Sequence, residues 1–270
     1  MKQKYQVLAA ALNANDLNLI REMHLSSDAV IINQCGEESA EEKLLDGFRI
    51  KLIHTTDRGV GKSRNLAVKS SDADIIEFAD DDMIFVKDHS SIVLNEFSAC
   101  PEADLIVFSL ESLNPDRPLL KIHKFGRIGY RKAMKYGCAR IAARRDRLIN
   151  SGVLFSEFFG GGAKYGSGED TLFLVDCLRA GLRIYESPKK VADVKQDSST
   201  WFNGYNEKYY RDKGALFAAV FPVNCYLYSV LTALRRKDKQ FSRYTVLKLY
   251  LDGIREYKEE TQNLDKRKAD

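Results

Sequence analysis

Over roughly the first hundred residues, short apolar runs alternate with polar stretches of helical length, the pattern that a parallel sheet covered by helices requires. The apolar runs mark strands near residues 6–11, 29–33, 51–54, 74–79 and 105–109, and the stretches between them mark helices near 16–25, 61–70 and 88–99. This half of the chain is predicted to be α/β. In open sheets of that kind, ligands bind just beyond the carboxyl ends of the strands. The polar clusters after Val30-Ile31-Ile32 and after Ile75-Ile76-Glu77-Phe78-Ala79 are therefore the first places to look for a site.

With 270 residues, 44% of them hydrophobic and 30% charged, the chain has the composition of a folded enzyme rather than of a disordered, collagenous or disulfide-stapled protein. Its 42 basic and 38 acidic residues leave a net charge of only +4, so no nucleic-acid partner is expected. Cys35, Cys100, Cys138, Cys177 and Cys225 stand singly with no C-x-x-C pair, which fits a reducing compartment. The amino terminus shows no signal-peptide pattern, so a cytoplasmic protein is expected.

Between residues 111 and 136 the chain turns basic and loop-like, and Gly160-Gly161-Gly162 opens a flexible segment before a helical pattern near Glu169. This middle part is a candidate acceptor side. Two units are expected: a catalytic domain over 1–205 and a helical appendage over 206–270. No run reaches the roughly 18–20 apolar residues of a spanning helix. Residues 215–234 nevertheless mix Phe, Tyr and Leu with few charges before Arg235-Arg236-Lys237. Two readings stand for them: peripheral contact with an anionic membrane face, or packing on the domain or on a second copy of the chain.

Three segments carry candidate chemistry. Asp80-Asp81-Asp82 follows an apolar strand directly, which sets hard oxygen ligands where Mg²⁺ or Mn²⁺ can be held. Continued extended backbone would send Asp80 and Asp82 to one side and Asp81 to the other. Acidic clusters also fill solvated turns, so the run alone decides nothing. In Gly166-Ser167-Gly168-Glu169-Asp170-Thr171, a flexible loop delivers two acids to a helix start. Either a general base or simple helix capping explains them. The third segment, from Asp57 to Asn65, follows a strand, opens a helix and carries Arg58, Lys62 and Arg64. It invites a P-loop reading, but Thr56 stands where the first glycine of G-x-x-x-x-G-K-[ST] belongs.

In their order along the chain, these segments resemble family 2 glycosyltransferases of the GT-A type. The second strand ends near Asn33, Gly59 to Asn65 gives a G-x-x-x-x-R-N-like spacing, and Asp80-x-Asp82 and Gly168-Glu169-Asp170 follow. The likeness spans about residues 5–200. It implies a GT-A fold and inverting transfer of a sugar from a nucleotide-sugar donor, a UDP-sugar by default. The acceptor would be a hydroxyl of a glycan or lipid-linked molecule in bacterial cell-surface polysaccharide synthesis, reached at the cytoplasmic face of the membrane. Carried over by resemblance, Asp170 is the base with Glu169 beside it, while Asn13, Asn33, Lys62, Arg64, Asn65, Asp80 and Asp81 face the nucleotide sugar. Asp80 and Asp82 hold Mn²⁺ or Mg²⁺. Members commonly carry an aspartate where this chain has Asn33-Gln34, which leaves the nucleobase open. They also carry a histidine after the acidic helix, for which Asp197 is the substitute here. The alternatives are a P-loop-like NTPase or kinase, and an inactive relative that binds sugar nucleotides or glycans.

Overall fold

The computed structural model describes residues 3–14, 16–196, 204–236 and 240–269. In chain order the first half runs β1 (Tyr5–Leu12), α1 (Asp16–Glu22), β2 (Ala29–Gln34), β3 (Ser39–Leu45), β4 (Phe48–Thr55), α2 (Val60–Ser70), β5 (Ile75–Asp80), β6 (Met83–Phe85), α3 (His89–Ala99) and β7 (Leu105–Ser112). There follow β8 (Gly126–Arg127), α4 (Tyr130–Ala133), β9 (Ile141–Arg144), α5 (Arg145–Ser151), α6 (Glu169–Arg179) and β10 (Ile184–Val194). Three helices close the chain: α7 (Glu207–Val220), α8 (Cys225–Arg235) and α9 (Arg243–Ala269).

Among the described residues the strands form one sheet in the order β3-β4-β2-β1-β5-β9-β7-β10-β6, with β8 added beside β10. Strands β4, β2, β1 and β5 run parallel, as do β7 and β10. All six residues of β2 are buried, as expected of a strand covered by helices on both faces. The flanking layers are two apolar clusters. One gathers Leu19, Met23, Val93 and Phe97, and the other gathers Val68, Leu148, Phe173 and Leu174.

Parallel register brings the carboxyl ends of the strands to one rim. Ala10 lies opposite both Ile32 and Asp80, Leu12 lies opposite Gln34, and Gln34 lies opposite Thr55. The outermost strand, β3, is exposed along nearly its whole length and carries Glu41, Glu42 and Lys43, charges that discourage edge-to-edge pairing. Asp46 and Gly47 turn it into β4 with φ of 51° and 86°, the paired positive angles of a tight hairpin.

The three closing helices pack on the rest of the chain through α7. Ala215, Leu216 and Val220 bury against Phe159, Tyr165, Leu172 and Val175. Helices α7 and α9 cross closely at two glycines: a Cβ on Gly214 would stand 2.1 Å from the Tyr250 carbonyl oxygen, and one on Gly253 would stand 2.0 Å from that of Arg211. None of the described helices is long and apolar enough to cross a membrane.

Candidate active site

Arg64 is the centre of the site. It lies in the first turns of α2, where a Cβ on Gly61 would come within 2.3 Å of the Ser156 carbonyl oxygen, so only glycine lets the helix start approach that loop. The Arg64 side chain is 4% exposed. Its Nη2 donates to Asp80 Oδ1 at 2.8 Å, and its Nη1 donates to Asp170 Oδ1 at 2.8 Å and Glu169 Oε1 at 3.4 Å. The guanidinium lies over the Phe155 ring at 5.4 Å, and that ring stacks on Phe173 at 3.8 Å. A rigid fork of donors is suited to bridging carboxylates that arrive from different elements. Residues far apart in sequence, on α2, at the end of β5 and at the start of α6, are thereby joined.

One cation does not fully compensate three carboxylates in a buried place. Burial, followed by repulsion from Asp170, pushes the Glu169 carboxyl up to about 7, against the pull of Arg64. Burial likewise raises Asp170, while Arg64 and the Cys138 backbone N–H pull it back. Both acids line a cleft of about 370 Å³ together with Tyr136, Gly137, Gly161 and Gly166. The floor is tight. A Cβ on Gly160 would meet Glu169 Cδ at 2.8 Å, and Gly168, at φ 114°, abuts Leu216 of α7.

Asp81 and Asp82 differ from that trio. Strand β5 stops at Asp80 and the two following residues form a turn into β6, so the alternation expected of extended backbone does not continue through the run. The Asp80 carboxylate faces Arg64. Asp81 accepts from the Leu12 N–H and Asp82 from the Gln196 N–H, each at 3.4 Å. Both carboxyls are raised above the ordinary range, first by burial and then, among the charges, by Asp80.

The remaining candidate residues are dispersed. Asn13, exposed at φ 50°, lies on the strand rim, where its N–H reaches the Gln34 carbonyl. Asn33 is buried and its amide holds both backbone groups of Ala14, at 2.9 and 3.1 Å. Asn65 clamps Phe155 in the same way, at 2.8 and 2.9 Å. Lys62 pairs with Asp57 at 3.0 Å and borders a second, more apolar cavity of about 580 Å³ between α2 and α5, lined by none of the three carboxylates held by Arg64. Asp197 lies outside the described residues. Among the described residues no three His, Cys, Asp or Glu side chains converge as ligands for a metal ion.

Sequence reasoning missed the residues that hold the loop in front of the acid pair. Asp212 of α7 accepts from the Gly166 N–H at 2.8 Å. Lys164 pairs with Glu256 and Glu260 of α9 at 3.0 and 2.8 Å, and the Tyr165 hydroxyl donates to Glu260 at 3.1 Å. On an amphipathic helix these acids look like a solvated face, and no local pattern distinguishes them.

A mostly parallel sheet flanked by helices, with acids gathered at its carboxyl rim, is the architecture of a GT-A glycosyltransferase. Crystal structures of S. aureus TarS share it. The chain aligns with TarS 1–349 in complex with UDP-GlcNAc at a TM-score of 0.60 and 15% identity, covering 93% of this chain and 72% of that one. With the UDP complex the values are 0.59, 16%, 87% and 75%. With a further TarS structure they are 0.57 and 16%, and 92% of this chain spans 43% of that one. Residues 11–147, half of the chain, match the sequence profile of Glycosyl transferase family 2, and the chain belongs to that family. No curated protein sequence matches it.

Proposed function

We propose that the protein is an inverting glycosyltransferase in which Asp170 takes the proton from an acceptor hydroxyl while Asp80 and its neighbours face the diphosphate of a nucleotide-sugar donor. The observation that carries this reading is the Arg64 bridge, which ties the strand-end acid to the helix-start acids and so joins a donor side to an acceptor side. As the acceptor oxygen bonds to the anomeric carbon, its proton passes to the Asp170 carboxylate. The bond from that carbon to the diphosphate oxygen breaks, its electron pair staying on the leaving diphosphate. Attack from the face opposite the leaving group inverts the anomeric centre. The acceptor class is a hydroxyl of a glycan or a lipid-linked glycan, entering by the cleft of Glu169 and Asp170.

Asp80 and Asp82 suit Mg²⁺ or Mn²⁺, because Asp80 is 40% exposed and the Asp82 carboxyl, raised by burial and by Asp80, has only a long bond to the Gln196 N–H. A site with one or two carboxylates fits an ion that completes its shell with water and substrate phosphate. Such an ion would be held by Asp80 and Asp82 and would neutralise charge on the leaving diphosphate. UDP-GlcNAc is the donor to try first, since TarS structures hold it and UDP.

The test is Asp170→Asn. Transfer to an acceptor, followed by nucleotide release, should fall by about 10²–10⁴-fold, the range for loss of a general base, while donor affinity stays within a few-fold. Undiminished transfer would exclude Asp170 as the base.

A further inference from the structure

Helix α8 is built inside out. The residues it buries are small, Cys225, Ser229 and Ala233 at every fourth position, whereas its large apolar side chains face outward. Val223 just ahead of the helix is 86% exposed, Leu227 61% and Leu234 54%, and Tyr226, Val230 and Leu231 complete the same surface. Leu227, Val230, Leu231 and Leu234 follow i, i+3, i+4, i+7 spacing, so they form one continuous stripe. Solvated helices carry polar residues there, and an apolar surface of this kind marks a contact with something else.

Charge indicates what that contact is. No acidic residue occurs between Asp212 and Asp238, and the stripe ends in Arg235 and Arg236, with Arg243 beyond. Arg235 and Arg243 are exposed. Lys258 of α9 comes alongside the stripe, its Nζ 4.7 Å over the Tyr226 ring. An apolar face bearing tyrosines and rimmed by cations matches the acyl and headgroup layers of a bilayer that contains anionic lipid.

We infer that α8 docks the protein on an anionic membrane surface, with its leucine and valine stripe in the interface and its arginines against the headgroups. Docking would hold the acceptor cleft at the membrane, because α7 joins the two regions: its Phe217 meets Tyr228 of α8 edge-on at 5.0 Å and Phe221, just past its end, stacks on the same ring at 4.3 Å, while its Leu216 abuts Gly168 beside the acid pair. This does not depend on the glycosyltransferase mechanism, and it is tested without an acceptor.

The experiment is flotation of the full chain with vesicles of phosphatidylcholine alone and of phosphatidylcholine with phosphatidylglycerol. Binding is expected only to the anionic vesicles. Each cation contributes about fivefold to partitioning at an anionic surface, so Arg235→Glu with Arg243→Glu should lower it by more than about tenfold. Leu227→Glu with Leu231→Glu should abolish it. Far-UV circular dichroism and thermal melting check that these surface variants fold, and nucleotide-sugar binding should be unchanged in them. Absence of binding to either vesicle would overturn the proposal. So would a concentration-dependent dimer that the leucine variants convert to monomer, since the stripe would then be covered by a second copy of the chain.

Discussion

The acids at the strand rim fall into two groups with opposite preparation. Asp170 and Glu169 are partly buried, bonded to Arg64 and set at the start of α6 behind a loop that α7 and α9 clamp, so their geometry exists before any substrate arrives. Asp81 and Asp82 accept backbone bonds of 3.4 Å and form no ion pair among the described residues, and burial works against their charge. Preorganisation belongs on the side where a proton must move at a fixed distance. In the proposed function, residual negative charge belongs on the side where a cation and a diphosphate would enter. Asp80 stands between them, bonded to Arg64 yet 40% exposed.

This contrast can be broken most forcefully at its shared member. Arg64→Met would leave the three carboxylates without their common partner; removing one partner of a fully buried pair costs about 3–5 kcal/mol, and because these acids are 13–40% exposed the expected loss is about 2–3 kcal/mol. Urea denaturation would measure it, and a loss below about 1 kcal/mol would mean that Arg64 does not organise the acids. A smaller effect is expected at the clamp. Asp212→Ala leaves the Gly166 N–H without its acceptor, a loss of about 1–2 kcal/mol that should be accompanied by a lower kcat at unchanged donor affinity. Normal kcat in a folded variant would show that the loop needs no support from α7.

The smallest effect sharpens the contrast through pH. Because the Glu169 carboxyl is pushed up to about 7 in the fold, the folded state holds that proton more tightly than the unfolded chain does. Its contribution to stability is therefore full below the ordinary carboxyl value of 4.5, declines as pH rises, and is lost above about 7. In Glu169→Gln the decline is absent. Melting temperatures taken from pH 4.5 to pH 8 should show the variant gaining a few degrees on the wild type over that window. A parallel pair of curves would place Glu169 in water.

Much of this was legible in the sequence, and the exceptions have physical causes. The buried parallel strands were readable because both of their faces are apolar, and Gly59, Arg64, Asp80 and Asp170 stood out by order along the chain. Strand β10 was hidden because Pro188 and two lysines sit at a break in its register with β7, and such a segment reads as a turn. Edge strand β3 was hidden because the run Glu41-Glu42-Lys43 fills its centre and breaks any apolar alternation, although Asp46-Gly47 announces a hairpin. The extended backbone assumed through Asp80-Asp81-Asp82 is replaced by a turn after Asp80, which the sequence pattern does not signal. Asn33 and Asn65 were legible as polar residues near the site, but the hold of their amides on the backbone of Ala14 and Phe155 was not. Pairings of that kind depend on which loops meet, and no local pattern encodes them.

The most direct measurement is calorimetric titration of UDP-GlcNAc into the wild type, Asp82→Asn and Asp170→Asn, each with Mn²⁺ and with a chelator. If one acid group awaits a cation and the other is complete, the wild type and Asp170→Asn bind the donor only with Mn²⁺, while Asp82→Asn binds at least about tenfold more weakly. Equal binding with and without the ion, unaffected by Asp82→Asn, would contradict the division between the two groups.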